Sequence, residues 1–421
     1  MKTILLKSAV ILHPKSEFNG SKADVLIKEG RIAEIGTIGE TPADTLVIDA
    51  EGKYLSPGFF DLNVNFGEPG YETRETLQSG TEAAAWGGFT GVAAQPNTNP
   101  PIHSKAEVAY IINKTKGNLV DVFPLGCISR DREGKDLAEL YDMKQAGAAA
   151  FTDGDRPVSD SGLMSRALLY AKGFDGLIFS YPEDRSIAGK GKMNEGAVST
   201  YLGMKGIPEL AEELLIARDL YLAEYNEAPI HFSTISTAGS VELIRQAKKR
   251  GMKVSCDVAA HHLVLTDKQL EDFDSNYKVK PPLRTDSDIK ALLEGLHDGT
   301  IDAVVSQHTP YEVEFKNVEF EIAAFGIIGL QTLLPLLVKA GLKPELIVEK
   351  AAINPRKVLG LQVPEIAAGA LADLVLFDME REWTFSSETN RSKSSNSPFL
   401  GKKLKGGVVF VINKQQYLHL Q

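Results

Sequence analysis

Eight short apolar segments alternate with helical patterns between residues 55 and 307, and this alternation most restricts what the chain can fold into. The helical patterns include 73–86, 207–225 and 240–250. Strict alternation of strand and helix favours a parallel sheet closed into a barrel over an open sheet. We therefore predict an α/β fold with a (β/α)8 TIM-like barrel over residues 55–365. The predicted strands span 55–65, 89–95, 120–128, 148–153, 176–181, 228–235, 252–260 and 302–307.

Short apolar and alternating runs also fill both ends of the chain. Residues 1–54 hold several such runs separated by turn residues, a pattern typical of a small antiparallel sheet. Comparable runs return between residues 372 and 412. We predict that residues 1–54 and 366–421 together form one small β-sandwich domain. The polar segment 392–397 is expected to be an exposed loop.

Composition and charge favour a soluble cytoplasmic protein. The net charge is -10, which disfavours nucleic acid or an anionic membrane as a partner because both attract basic surfaces. No apolar run approaches the roughly 20 residues that span a bilayer, and the apolar run at the N-terminus is too short for a signal peptide. Cys127 and Cys256 lie far apart in apolar runs, so we expect two buried free thiols.

Asn63 and Asn65 lie at the end of the first predicted barrel strand. Residues i and i+2 of a strand point to the same side, so we expect these two side chains to point together beyond the strand end. Functional residues of parallel barrels lie at the C-terminal ends of the strands. The two asparagines therefore mark where a site is expected.

Four motifs surround these asparagines: Pro57-Gly58-Phe59-Phe60-Asp61-Leu62, Glu68-Pro69-Gly70, Gly87-Gly88-Phe89-Thr90 and Gln95-Pro96-Asn97-Thr98-Asn99-Pro100. They resemble dihydroorotase, a metal-dependent hydrolase of the amidohydrolase superfamily, and in particular its non-catalytic, metal-ligand-depleted members. The resemblance covers nearly the whole chain and implies the same barrel and terminal β-sandwich. The family carries His-x-His where this chain has Asn63 and Asn65.

The resemblance also indicates where the family holds its metal ions. Besides the His-x-His pair, dihydroorotases use an aspartate after strand four, histidines after strands five and six, and an aspartate after strand eight. Of these groups the chain retains only the strand-four aspartate, Asp153. The substituted positions are Asn63, Asn65, Tyr181, Thr234 and Gln307.

These substitutions remove the chemistry that such a hydrolase needs. Zinc generates a nucleophile by lowering the pKa of bound water to about 7, and two zinc ions need roughly six imidazole or carboxylate donors. Neutral amide, phenol and hydroxyl groups are poor zinc donors, and Gln307 cannot take a proton as a general base. We expect no metal, no cofactor and no catalytic residue, with zinc only if an altered or single-metal site is active.

The ligand pocket implied by the resemblance is also changed. Asn97 is retained, whereas Gly67 replaces a carboxylate-binding arginine, Lys280 an asparagine and Tyr311 a histidine. We also assign His308 to this pocket, as a hydrogen-bonded structural histidine rather than a metal ligand.

Buried polar groups need partners. For Asp153 we expect a hydrogen bond or ion pair with a neighbour such as Lys280, with a residual single-metal site as the alternative. Asn63 and Asn65 could bond each other or water. His231 is expected in the core, and the His261-His262 pair is expected to be structural.

Three functions are compatible with these residues. The first is a catalytically inactive dihydroorotase-like protein of pyrimidine biosynthesis that is a structural or regulatory partner of aspartate transcarbamoylase and forms homo-oligomers, as the resembled class does. The second is an active dihydroorotase or cyclic amidase with an altered or single-metal site. The third is a small-ligand binding protein that uses Asn97 and Lys280.

Overall fold

The computed structural model describes residues 2–39 and 44–420, so residues 1, 40–43 and 421 of the predicted sandwich domain lie outside the described residues. The strands are β1 (Ile4–Ile11), β2 (Lys22–Lys28), β3 (Arg31–Gly36), β4 (Leu46–Asp49), β5 (Tyr54–Pro57), β6 (Phe59–Val64), β7 (Phe89–Ala94), β8 (Asp121–Pro124), β9 (Ile178–Ser180), β10 (Met193–Asn194), β11 (Gly206–Ile207), β12 (Ile230–Phe232), β13 (Val254–Ala259), β14 (Ala303–Val305), β15 (Asp373–Phe385), β16 (Lys402–Asn413) and β17 (Gln416–His419). The α-helices are α1 (Leu77–Trp86), α2 (Lys105–Thr115), α3 (Leu140–Ala146), α4 (Ser161–Lys172), α5 (Arg185–Ala188), α6 (Ala197–Tyr201), α7 (Leu210–Asn226), α8 (Ala238–Lys249), α9 (Asp286–His297), α10 (Val313–Lys316), α11 (Leu333–Lys339), α12 (Pro344–Val348) and α13 (Asn354–Val358).

Parallel pairing closes the middle of the chain into the predicted (β/α)8 barrel. Strands β6, β7 and β8 pair in that order, and β9, β12, β13 and β14 form the opposite side. Phe151 bridges Gly126 and Ile178 between the two groups, and Val64 bridges His308 to close the ring. The predicted fourth strand at 148–153 is therefore reduced to bridges at Phe151, although it keeps its place in the barrel.

Both ends of the chain contribute to the second domain. Its eight strands form one sheet in the order β17-β16-β15-β5-β1-β2-β3, with β4 paired to β1. The expected antiparallel arrangement is only partly right, because β1 pairs in parallel with both β4 and β5. Buried Ile4, Leu6, Leu374, Leu376 and Phe410 belong to its core.

The predicted first barrel strand, 55–65, is in fact two strands. β5 pairs with β1 and β15 in the sandwich domain, whereas β6 pairs with β7 in the barrel. Gly58 separates them, and a Cβ atom there would lie 2.1 Å from Thr90 Oγ1. The predicted domain boundary between residues 54 and 55 thus falls inside β5.

The polar segment 392–397 is a loop, as predicted, but only Lys393 and Ser395 in it are exposed. Ser394, Asn396 and Ser397 are buried. Asn396 Nδ2 donates to the carbonyl oxygens of Thr309 (3.0 Å) and Gly326 (3.1 Å). Serine and asparagine lie here because they satisfy backbone groups of the loops around the barrel mouth.

Cys127 and Cys256 are free and buried, as predicted. Within residues 2–39 and 44–420, no helix combines the length and the apolar character needed to cross a membrane.

Candidate ligand pocket

A cavity of about 480 Å³ opens at the C-terminal ends of the barrel strands. Because the barrel strands are parallel, the residues that follow different strands meet at this one end. Asn63 reaches the cavity from β6, whereas Asn97, Tyr181 and Gln307 reach it from the segments that follow β7, β9 and β14. Among the predicted positions, the cavity is lined by Asn63, Asn65, Gly67, Asn97, Tyr181, Lys280, Gln307 and Tyr311.

An amide network occupies the position of the family's His-x-His pair. Asn97 Nδ2 donates to Asn65 Oδ1 at 2.7 Å, and Asn65 Nδ2 donates to Thr309 Oγ1 at 3.0 Å. Asn63 Nδ2 makes longer contacts of 3.4 Å with the hydroxyls of Ser233 and Thr234. Asn63 and Asn65 therefore bond other residues rather than each other, contrary to one expectation.

Asp153 lies beside the cavity but does not line it. Its carboxylate accepts hydrogen bonds from the Ser129 amide at 2.9 Å and from the Ser129 hydroxyl. Burial raises the pKa of this carboxyl despite these bonds. The expected hydrogen bond to a neighbour is therefore present, but the neighbour is Ser129 and not Lys280, whose Nζ lies 2.8 Å from Glu183. Both oxygens of Asp153 are thus engaged by Ser129.

His308 belongs to the barrel wall rather than to the cavity, which corrects its predicted place. Its Nδ1 accepts the amide proton of Gly329 at 3.2 Å, and its Nε2 lies 3.3 Å from Glu75 Oε2. The side chain is 1% exposed. Gln307 precedes it with φ 50°, a left-handed conformation that interrupts the alternation of an extended strand.

Thr234 and His231 are turned toward a buried carboxylate. Thr234 Oγ1 donates to Asp257 Oδ1 at 2.7 Å, and His231 Nε2 lies 3.0 Å from Asp257 Oδ2. The other ring nitrogen of His231 is 2.8 Å from Ser255 Oγ. Neither residue lines the cavity, so Thr234 occupies a ligand position of the family without facing the pocket.

The remaining two substituted positions present neutral groups. Burial raises the pKa of the Tyr181 phenol well above its ordinary value, so it stays protonated. Gln307 Nε2 donates to the carbonyl oxygen of Lys280 at 2.9 Å. Neither side chain offers a base to the cavity.

The wall of the cavity carries an excess of positive charge, and its arginines were not predicted from the sequence. Arg74 pairs with Glu312 at 3.1 Å and stacks on the rings of Tyr71 and Tyr311, with centroid distances of 4.5 and 4.6 Å. The lining cations are Arg74, Arg132, Arg156, Arg185 and Lys280, here called the cationic wall. Arg132 pairs with Asp155 and Lys280 with Glu183, so Arg156 and Arg185 supply the excess of positive charge. Such a wall attracts anions.

The donor set does not fit a metal centre. Across the described ranges 2–39 and 44–420, no cluster of three or more His, Cys, Asp or Glu side chains is placed to hold an ion. Asp153 is the carboxylate retained from the family's ligand set, and Ser129 already uses both of its oxygens. The neutral amides, phenol and hydroxyl at the other positions are weak ligands for zinc.

Asp61 supports the cavity from beneath and leads to a prediction about pH. Its carboxylate accepts the amide protons of Asn63 and Ser306, both at 2.9 Å, and so ties β6 to β14. Burial raises its pKa to about 7. Because the unfolded pKa is about 3.9, the folded state holds the proton more tightly between these values, and stability falls as pH rises from about 4 to about 7.

We expect this fall to amount to about 4 kcal/mol at most and to disappear from the Asp61→Asn variant. Urea unfolding of both proteins at several pH values measures it. Parallel stability curves for the two proteins between pH 4 and 7 would contradict the assignment.

Comparisons of the sequence and of the fold with known proteins identify related proteins. The sequence family described as "Dihydro-orotase-like" matches residues 52–240. Proteins named dihydroorotase from Geobacter sp. (strain M21) and Acetivibrio thermocellus are each 44% identical, the first over 99% and the second over 97% of both chains. L-hydantoinase (dihydropyrimidinase) from Arthrobacter aurescens superposes with a TM-score of 0.86 at 24% identity, over 100% of this chain and 96% of that one. This likeness shows the shared fold, a (β/α)8 barrel with a β-sandwich domain.

Proposed function

The chain belongs to the dihydroorotase-like family of cyclic amidohydrolases, and from that membership we propose that it serves pyrimidine biosynthesis without catalysing hydrolysis. In this proposal it acts as a structural or regulatory partner of aspartate transcarbamoylase. The observation that carries the proposal is the replacement of metal-ligand positions by neutral groups within an intact barrel.

The chemistry of the cavity supports inactivity. Opening a cyclic amide needs an activated water and a group that accepts its proton. The Gln307 amide cannot accept that proton, Tyr181 stays a neutral phenol, and Asn65 is bonded to Asn97 and Thr309. These side chains can orient a ligand by hydrogen bonds, but they cannot generate a nucleophile.

A turnover assay tests this inactivity. We expect hydrolysis of dihydroorotate to be slower by roughly 10⁴-fold or more than that of a 44%-identical dihydroorotase assayed beside it, because groups that act as a unit are lost together. A hydrolysis rate within tenfold of the rate of that relative would favour the alternative, an active enzyme with an altered site.

The proposed partnership is supported by what the chain retains. Across residues 2–39 and 44–420, the barrel and the sheet from both ends of the chain are formed around a neutralised centre, so the fold still presents a defined surface. Association with the aspartate transcarbamoylase of the same organism should bury at least roughly 1,000 Å². Co-elution in size exclusion and a changed transcarbamoylase rate are expected. Separate elution at micromolar concentration with an unchanged rate would refute the partnership.

Small-ligand binding is a second candidate function, which the cationic wall favours. We expect orotate, a planar carboxylate, to raise the melting temperature, whereas uncharged uracil should not. Binding stabilises the folded state by about 2.7 kcal/mol at a ligand concentration of 100 Kd. The Arg156→Gln variant should reduce the shift, because Arg156 lines the cavity. Equal shifts with orotate and uracil would contradict recognition by charge.

A further inference from the structure

A second cavity, of about 560 Å³, lies between the barrel and the sheet of the other domain and is here called the interdomain cavity. The end of α1 and the start of α11 form one side, and β15, β16 and β17 form the other. Small-molecule sites have volumes of roughly 300–1,000 Å³ and occur preferentially at domain interfaces. Its apolar walls include Trp86, Leu334, Pro335, Trp383, Leu418 and Leu420.

Two consecutive glycines of β16 leave space for the interdomain cavity. Gly406 has φ 95°, and a Cβ atom there would lie 2.7 Å from Val338 of α11. A Cβ atom at Gly407 would lie 2.9 Å from Arg381 Cδ. Because neither glycine has a side chain, β16 approaches α11 closely and the space beside it stays open.

Both tryptophans of the chain line the interdomain cavity. Trp86 and Trp383 are half-buried, so part of each ring stays accessible. The Arg391 guanidinium stacks on Trp86, 3.8 Å from the ring centroid, and Phe385 packs edge to face with Trp383 at a centroid distance of 5.9 Å. These contacts hold the two indoles in place. Tryptophan offers a large flat apolar surface that attracts other aromatic rings, so the walls favour a planar ring.

Polar groups in the walls already have partners within the chain. The buried amide of Gln331 donates to the carbonyl oxygen of Thr389 at 2.9 Å and accepts the Arg391 amide proton at 2.8 Å. Trp383 Nε1 donates to the carbonyl oxygen of Gly406 at 2.9 Å. A ligand that needed these groups as hydrogen-bond partners would have to break existing bonds.

The charged group of the wall holds the sheet together. Arg381 Nη1 donates to the carbonyl oxygens of Val408 at 3.0 Å and Leu420 at 3.1 Å, and so ties the end of β17 to β16. Thr384 is exposed and His419 half-buried, so both can be hydrated. None of the described lining residues is a carboxylate. A cationic ligand would therefore lose water without gaining a counter-charge.

We propose that the interdomain cavity binds a small uncharged aromatic molecule, whose planar ring packs against Trp86 and Trp383. A peptide segment fits this cavity less well, because its backbone N–H and C=O groups need hydrogen-bond partners that the walls already use. The site is independent of the proposed function, since the two cavities share no lining residue within the described parts of the chain.

Fluorescence titration of the full chain with two related probes tests the ligand class. Phenylnaphthylamine is uncharged, and anilinonaphthalene sulfonate adds a sulfonate to the same ring system. We expect phenylnaphthylamine to saturate one site per chain, to quench the tryptophan emission and to bind at least about tenfold more tightly than the sulfonate. Excess orotate should not displace it. Absence of saturable binding, equal affinity for both probes, or displacement by orotate would overturn the proposal.

Variants of β17 test the location. Leu418→Glu places a carboxylate in the wall and should raise the dissociation constant of phenylnaphthylamine at least about tenfold. Leu418→Trp, which fills the cavity without adding a charge, should weaken binding similarly. Tyr417→Glu is the matched control, because Tyr417 is the preceding residue of β17, is 36% exposed and does not line the cavity. Unchanged affinity in both Leu418 variants, or an equal loss in Tyr417→Glu, would place the probe elsewhere and overturn the proposal.

Discussion

Replacing Arg284 by methionine is expected to lower the free energy of unfolding by about 3–5 kcal/mol. The guanidinium is 3% exposed and lies 3.8 Å from the equally buried carboxylate of Glu212. Its nitrogens also donate to Asn194 Oδ1 at 2.9 Å and to the carbonyl oxygen of Ile207 at 2.8 Å. Burial raises the pKa of Glu212 even with this arginine beside it. Methionine keeps the volume but removes the cation beside Glu212 and the guanidinium donor from Asn194 and Ile207.

Arg245→Met is the matched control. Arg245 also pairs with two carboxylates, those of Glu242 and Asp298, but on the surface. Surface pairs contribute about 0–1 kcal/mol, so the urea unfolding midpoint of the Arg245→Met variant should stay close to that of the unmodified protein. Equal losses of stability in the two variants would contradict the larger contribution expected from the buried contacts of Arg284.

Restoring histidine at residues 63 and 65 together is expected to restore neither zinc binding nor turnover. The two imidazoles would face Tyr181 and Gln307, which are neutral, and Thr234, which donates to Asp257. Asp153 would remain bound to Ser129. Catalytic groups that act as a unit give strongly non-additive effects, so two of them recover almost none of the loss.

The matched control is a histidine pair at the same spacing on an exposed strand. Glu380→His with Glu382→His on β15 provides it, since both positions are exposed. If the pocket pair and this surface pair retain the same amount of zinc, that zinc is bound adventitiously. The contradicting result is a rise of about 100-fold in dihydroorotate turnover when Asn63→His and Asn65→His are combined. It would show that the other side chains of the pocket can still support catalysis.

The sequence predicted the barrel because the spacing of apolar residues distinguishes a strand from a helix, and the two kinds of segment alternate along the chain. It could not show which sheet a strand joins. The run 55–65 therefore looked continuous, whereas β5 pairs in the sandwich domain and β6 in the barrel. Pairing partners depend on contacts between distant residues, and apolar periodicity does not encode them.

The motifs located the pocket, but they could not give the direction of every side chain. His308 follows a residue with positive φ, so its side chain turns toward Glu75 rather than into the cavity. Asp153 finds its partner in Ser129, which lies on another loop. The partner expected from charge alone, Lys280, binds Glu183.

Long side chains from separate loops form the cationic wall, and for this reason it escaped the sequence analysis. Arg74, Arg132, Arg156 and Arg185 lie in segments that carry no shared motif, and only the closed barrel brings them to one cavity. Arginine is frequent on any surface, so its identity alone gave no signal. Proximity to the strand-end motifs was the clue available, since Arg156 lies three residues after Asp153.

The zinc content of the protein purified in excess zinc tests the central claim most directly. The claim is that this barrel keeps its frame while its mouth lacks the donors for a metal centre. Elemental analysis should then find far less than one zinc per chain after gel filtration, while a 44%-identical dihydroorotase treated in the same way provides the reference. One or more tightly held zinc ions per chain would contradict the account.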